Sequence, residues 1–113
     1  MLNFMFEKSD GLGLLTFDGE LTTECADRVK EALMISLDNA EHVVVNLDKV
    51  TKIDPICIHL LCMAYRKSKR LKKWLTLICT HPETHKKLEK FENSIGSIFI
   101  IDLSKFNQNL MSG

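Results

Sequence analysis

No stretch of this 113-residue chain holds the roughly 18 uncharged apolar residues that cross a bilayer as a helix, so membrane insertion is not expected. Paired cysteine motifs are missing too. Cys25, Cys57, Cys62 and Cys79 are scattered through apolar segments without a CxxC pair. That is the distribution of reduced, buried thiols, not of a disulfide framework or a zinc ribbon. The run Met1-Leu2-Asn3-Phe4-Met5-Phe6-Glu7 has neither the basic start nor the small-residue cleavage site of a secretory signal, which makes the cytoplasm the expected compartment. Two prolines and five glycines are too few for a linker or a low-complexity tract. Neither charge predominates, with 15 basic and 15 acidic residues. A nucleic-acid-binding domain would be expected to be basic. Catalytic signatures are absent as well: there is no GxSxG, P-loop, GxGxxG or HExxH. Enzymatic activity, a cofactor and a metal are accordingly not expected.

What is present describes one globular domain over residues 1–113. Hydrophobic content is 45% and charged content 27%, and the length suffices to bury a core without staples. The charges are segregated, however. Residues 1–54 carry 11 acidic against 5 basic side chains and residues 55–113 carry 4 against 10, so the halves stand at −6 and +6. The basic end is concentrated in Arg66-Lys67-Ser68-Lys69-Arg70-Leu71-Lys72-Lys73. Cations there complement the C-terminus of a helix, and they also suit an acidic protein partner. No aromatic residues are interleaved to stack on bases.

Two strands, Met1–Glu7 and Gly13–Asp18, flank the turn Ser9-Asp10-Gly11 and predict a hairpin. Gly19-Glu20-Leu21 leads to Thr22-Thr23, a cap before a helix to about Asp38. Its apolar stripe is Ala26, Val29, Leu33 and Leu37. The β-branched run His42–Leu47 predicts a strand buried on both faces. A second helix from Pro55 to about Arg70, a strand at Trp74–Cys79, a third helix from Pro82 to Phe91 and a strand at Ile98–Ile101 follow. Leu103, Phe106 and Leu110 fit a short tail helix. The order ββαβαβαβ(α) implies an α/β domain with a mostly parallel, mixed sheet of four to five strands and helices mainly on one face.

The junction Lys52-Ile53-Asp54-Pro55-Ile56-Cys57-Ile58 joins strand to helix. Asp54 is a good N-cap residue, its carboxylate able to accept from first-turn amides. Pro55 suits the first helical position, where a missing N–H costs nothing. The turn presents an exposed helix N-terminus. Ile58 is expected in the core, while Ile56 fits either the core or an apolar surface patch.

Over about residues 3–105 the chain resembles the STAS domain family, the fold of bacterial anti-sigma factor antagonists and of sulfate-transporter tails. The resemblance rests on Gly19-Glu20-Leu21, on Val43 through Asp54, and on Trp74 through Thr84. It implies a bacterial signalling module that binds an anti-sigma factor or kinase-like ATPase through protein–protein contact in transcription regulation. The family shows Asp-Ser-Ser/Thr-Gly at the start of the second helix and takes a regulatory phosphate on the serine after the aspartate. Here the string is Asp54-Pro55-Ile56-Cys57. Pro55 has no hydroxyl, so the family switch cannot operate there, and Thr51 is the alternative acceptor. The resemblance places the partner surface at Asp54, Pro55, Ile56, Cys57 and His59, with Thr22, Thr23 and Glu24 alongside. As alternatives it implies an accessory subunit of a lipid-transporting ABC system or a module sensing a small ligand or nucleotide, and it leaves a homodimer open.

Two other groupings fall short of a site. His59 and Cys62 lie one helical turn apart with Cys57 nearby, but a zinc site needs four convergent ligands, and the helix around them is apolar nearly all round. His81 and His85 are four residues apart beside Pro82, where Thr80 or His81 as the cap of the third helix accounts for the string.

Overall fold

Asp10 and Gly11 both adopt positive φ, 48° and 83°. A two-residue type I′ hairpin turn demands this at both central positions. They fold β1 (Leu2–Ser9) back on β2 (Leu12–Leu21), in register from Leu2 opposite Gly19 to Ser9 opposite Leu12. The structure, a computed structural model, is described for residues 2–95 and 100–101. A 3₁₀ turn at Thr23–Cys25 leads into α1 (Ala26–Asn39). Then follow β3 (His42–Ile53), α2 (Pro55–Arg70), β4 (Trp74–Ile78), α3 (Pro82–Ile95) and β5 (Ile100–Ile101). The sheet has the order β1-β2-β3-β4-β5. Its first pair is antiparallel and the other three are parallel.

Crossovers of one hand between strands in sequence order place every connecting helix on the same face. Accordingly α1 packs against α2, and α2 against α3. Leu15, Phe17, Val43, Val45, Leu47, Leu75 and Leu77 point into this layer and are buried. Leu14, Thr16, Val44 and Asn46 alternate with them and are only half-buried. This corrects the expectation that β3 is buried on both faces. Its β-branched residues suit a pleated strand whichever face they occupy, and among the described residues the helices cover one face and bury only every second one. On the other face Thr76 Oγ1 lies 2.9 Å from His42 Nε2, and Trp74 at the strand start is 68% exposed.

The α1 stripe buries Val29, Leu33 and Leu37, with Ala26 half-buried at its start. Helix α2 buries Cys57, Ile58, Leu61, Cys62 and Ala64, each large apolar side chain contributing about 1.5–3 kcal/mol by leaving water. Opposite them Ile56, His59 and Met63 are exposed, so α2 is amphipathic and not apolar all round. Helix α3 runs beyond the expected Phe91 to Ile95. Of the strand expected at 98–101, Ile100 and Ile101 are described. The tail helix at Leu103, Phe106 and Leu110 lies outside the described residues.

Gly13 is fixed by packing. A Cβ built there would stand 2.6 Å from the Phe6 ring and 2.8 Å from Ala40 Cβ, and Ala40 has no rotamer with which to retreat. Gly13→Ala is therefore expected to lower stability by about 1–3 kcal/mol, read as a lower urea midpoint with unchanged slope.

Strand β3 is twice as long as the sequence pattern suggests. Only its first part, His42–Asn46, pairs with β4. The rest continues beside β2 through two register shifts, one at Thr16/Asp18 and one at Gly19/Glu20, where Gly19 takes a φ of 117°. This extension brings the end of β3 level with the end of β2, Leu21 opposite Ile53. Two strand-to-helix turns thereby meet at one edge of the sheet.

Candidate functional site

Asp54 N donates to Leu21 O at 2.8 Å, extending the β2–β3 pairing by one step. The residue stays extended (φ −83°, ψ 153°), as a residue before proline prefers. Pro55 then begins α2. Asp54 O accepts from Cys57 N at 3.0 Å and Ile58 N at 3.2 Å, so the backbone of Asp54 starts the helix. Its side chain does not. No side-chain cap bond forms on α2, contrary to the expected role of the carboxylate. Instead Oδ2 accepts from Thr23 N at 3.0 Å and from Thr23 Oγ1 at 3.3 Å. The physical reason lies in the competing donors: Thr23, at the start of the 3₁₀ turn, presents both an amide and a hydroxyl to the carboxylate. Asp54 thus serves the start of the first helical segment from across the sheet edge. Lys52 Nζ, 4.0 Å from Asp54 Oδ1 and largely exposed, adds little.

The backbone of Thr22 is the second tie. Its carbonyl lies within reach of three donors: Cys25 N at 3.1 Å, Cys25 Sγ at 3.3 Å and Cys57 Sγ at 3.4 Å. Its N–H donates to Cys25 Sγ at 3.2 Å. The two connections, β2 to α1 and β3 to α2, are therefore joined twice, through Asp54–Thr23 and through Thr22–Cys57.

Burial pushes the Cys57 thiol from its ordinary 9.0 up to about 11, helped by the neighbouring Cys25 and by the Asp54 carboxylate. A nucleophilic cysteine needs the opposite shift. Burial also raises Cys62, with Arg66 opposing it. A folded pKa above the unfolded one means the native state holds the proton more tightly. Between pH 9 and about 11 the unfolded chain binds fewer protons, so stability falls as pH rises through that window. Cys57 is expected to resist iodoacetamide at pH 8 in the native protein and to react once urea unfolds it, as peptide mass spectrometry would read. Rapid native labelling would place the thiol at the surface.

The structure thus brings together Asp54, Thr22, Thr23 and Cys57. Pro55 and Ile56 form the exposed tip, Ile56 at 41% exposure, which resolves its placement in favour of the surface. His59 is exposed one turn further along α2, and Glu24 is exposed on the 3₁₀ turn. Thr51 is exposed on β3, its hydroxyl 3.4 Å from Gly19 O. His59 and the buried Cys62 occupy different faces of α2. The two later histidines part as well: His81 Nε2 lies 2.9 Å from Asp48 O, and His85 Nδ1 lies 3.0 Å from Glu89 Oε1. The His81 carbonyl accepts from His85 N, so the backbone starts α3, and the Thr80 hydroxyl donates to Asp48 Oδ1 at 2.9 Å. Among the described residues no three His, Cys, Asp or Glu side chains gather to hold a metal, and no helix is long and apolar enough to cross a membrane.

Sequence reasoning missed Cys25 and Asp48. Cys25 carries the weak signal of standing three residues after Thr22, the spacing of a reciprocal cap. Asp48 accepts from Thr80 N and Oγ1, an attachment that spans 32 residues and has no local signature.

A single α/β domain, with a mixed sheet under one layer of helices and paired strand-to-helix turns at the sheet edge, defines the class. The chain belongs to the STAS domain family, whose sequence profile matches residues 3–99. Among solved structures it is similar to an anti-sigma factor antagonist from Mycobacterium paratuberculosis, at 17% identity and a TM-score of 0.74, over 88% of this chain and 86% of that one. It is also similar to a putative anti-sigma factor antagonist from Thermotoga maritima, at 15% identity and a TM-score of 0.75, over 94% and 92%. A third similar structure is the Bacillus cell fate determinant SpoIIAA in its phosphorylated form, at 13% identity and a TM-score of 0.68, over 96% and 99%. Among curated proteins none matches the chain significantly.

Proposed function

We propose that this domain is a non-catalytic cytoplasmic binding module of a signalling pathway. It recognises an anti-sigma factor or a related kinase-like ATPase, in the manner of an anti-sigma factor antagonist, and does so without the phosphoserine switch. Pro55, Ile56 and His59 meet the partner, with Thr22, Thr23 and Glu24 alongside, while Asp54 and Cys57 hold the tip in shape. The observation that carries this reading is the exposed apolar tip, Pro55 followed by Ile56 at 41% exposure, on a turn braced from both sides. A phosphate would add about −1.5 to −2 charges to such a turn and reset its interface. A proline and an isoleucine leave it permanently apolar, as suits a constitutive contact.

The test is capture of the partner from a lysate of the source cells by immobilised wild-type domain and by Ile56→Glu. The wild type is expected to retain a kinase-fold ATPase. The variant, changed at an exposed position, is expected to stay folded and lose at least about tenfold in affinity, as for a residue central to an interface. Equal retention by both would remove the interface from this turn. Pro55 is also compatible with a second reading, an accessory subunit on the ATPase of a lipid-transporting ABC system, since that role needs no acceptor hydroxyl. The identity of the retained ATPase separates the two. Incubation with that partner and ATP would show whether Thr51 takes the phosphate instead.

A further inference from the structure

The spacing of Ile56, Leu60, Met63, Lys67 and Arg70 is four, three, four and three, so they form one continuous stripe along α2. From Leu60 to Arg70 the stripe borders α1. Leu60 and Met63 meet Leu33 and Met34 of α1 around a hollow of about 210 Å³, rimmed by Lys30, Lys67 and Arg70. Lys67 Nζ lies 3.4 Å from Met34 Sδ, its stem laid along the wall with the charge at the edge. Among the described residues no acidic side chain lines the hollow, and α2 from Pro55 to Arg70 contains none. From Leu60 to Arg70 the lining runs about 15 Å at 1.5 Å per residue, the length of nearly three helical turns.

We infer that this groove seats an amphipathic helix of the partner, with apolar residues at i, i+4 and i+7 entering between Met34 and Met63 and acidic side chains reaching Lys30, Lys67 and Arg70. An apolar floor with a rim of one sign selects such a segment: the floor supplies affinity and the charges supply orientation and exclusion of basic competitors. The inference rests on the reading of this domain as a partner-binding module, while the hollow itself lies along α2 beyond the Ile56 tip, from Leu60 to Arg70.

The probe is a synthetic 18-residue peptide with leucines at that spacing flanked by glutamates, compared with its lysine counterpart, against protein carrying ¹³C-methyl methionine. The methyl signals of Met34 and Met63 are expected to shift on adding the acidic peptide, while that of Met5, on β1, stays still. The lysine peptide is expected to bind at least about tenfold more weakly, and Met63→Glu and the pair Lys67→Glu/Arg70→Glu to lose a similar factor, as for charges that oppose a partner of like sign. These positions lie at the edge of the fold, and unchanged amide spectra would confirm that the variants remain folded. Unmoved Met34 and Met63 methyls, equal binding of both peptides, or shifts produced only by anionic phosphatidylglycerol vesicles would each overturn the inference. With the captured ATPase the two readings separate. Loss on Ile56→Glu but not on Met63→Glu would leave the tip as the interface and remove the groove.

Discussion

Phe17→Ala is expected to remove about 3–5 kcal/mol of stability, the usual cost of emptying a fully enclosed aromatic site. Phe17 is the largest fully buried side chain among the described residues. It stands on β2 opposite Phe4, the ring centroids 6.3 Å apart and tilted by 59°. Phe4 in turn lies under the Arg28 guanidinium at 5.9 Å, and Arg28 Nη1 donates to Leu2 O at 3.1 Å. Truncation would therefore open a cavity under α1 and loosen the anchoring of β1 at the same time. A domain of this size holds about 5–15 kcal/mol in total, so the loss is a large fraction of it. At about 4–8 °C per kcal/mol, Tm should fall by at least about 12 °C. Trp74→Ala is the matched control. Although Trp74 is the sole tryptophan, its exposure predicts a change within about 0.5 kcal/mol. Urea unfolding followed by circular dichroism separates the two, and a Phe17 cost below that of Trp74 would contradict the placement of the core.

The sequence pattern located most elements because their signals are local. Asp10-Gly11 can form a type I′ turn from its own φ preferences, and Pro55 begins α2 for reasons confined to two residues. The α1 stripe Val29, Leu33, Leu37 was equally plain, since helical periodicity is itself a statement about one face. The strand His42–Leu47 misled because β-branched residues record a preference for extended backbone more than a degree of burial. Only the count of helical layers decides what covers the second face. Within the site the turn was legible and its wiring was not. The Asp54 carboxylate has two sets of donors to choose from, and the choice of Thr23, 31 residues away, follows from how β2 and β3 end side by side. Cys57 and Cys25 converging on the Thr22 carbonyl is a property of that same juxtaposition. So is Asp48 holding Thr80.

Asp54→Lys is expected to abolish partner binding while the domain stays folded. The substitution does three things at one point. It removes the acceptor of Thr23 N and Thr23 Oγ1, a loss of about 1–2 kcal/mol for partly exposed bonds to a charged group. It sets a cation beside the starts of two helical segments, where the backbone dipoles favour negative charge. It also turns Lys52, now 4.0 Å from Asp54 Oδ1, into a like-charged neighbour. Thr23 would no longer be tied to Asp54, leaving the Thr22–Cys57 tie between the two connections, and the surface they form would shift without the core being touched. A loss of at least about 2 kcal/mol in affinity, some thirtyfold, corresponds to a residue that organises the centre of an interface. Asp54→Asn separates geometry from charge, because its amide oxygen can still accept from Thr23 N. If shape is what the partner reads, the asparagine variant keeps most of the affinity and the lysine variant none. If the partner reads the carboxylate itself, both fall together. Titration calorimetry of the two variants against the captured ATPase, with thermal unfolding to verify the fold, decides between these outcomes, and wild-type affinity in both would place the interface elsewhere on the domain.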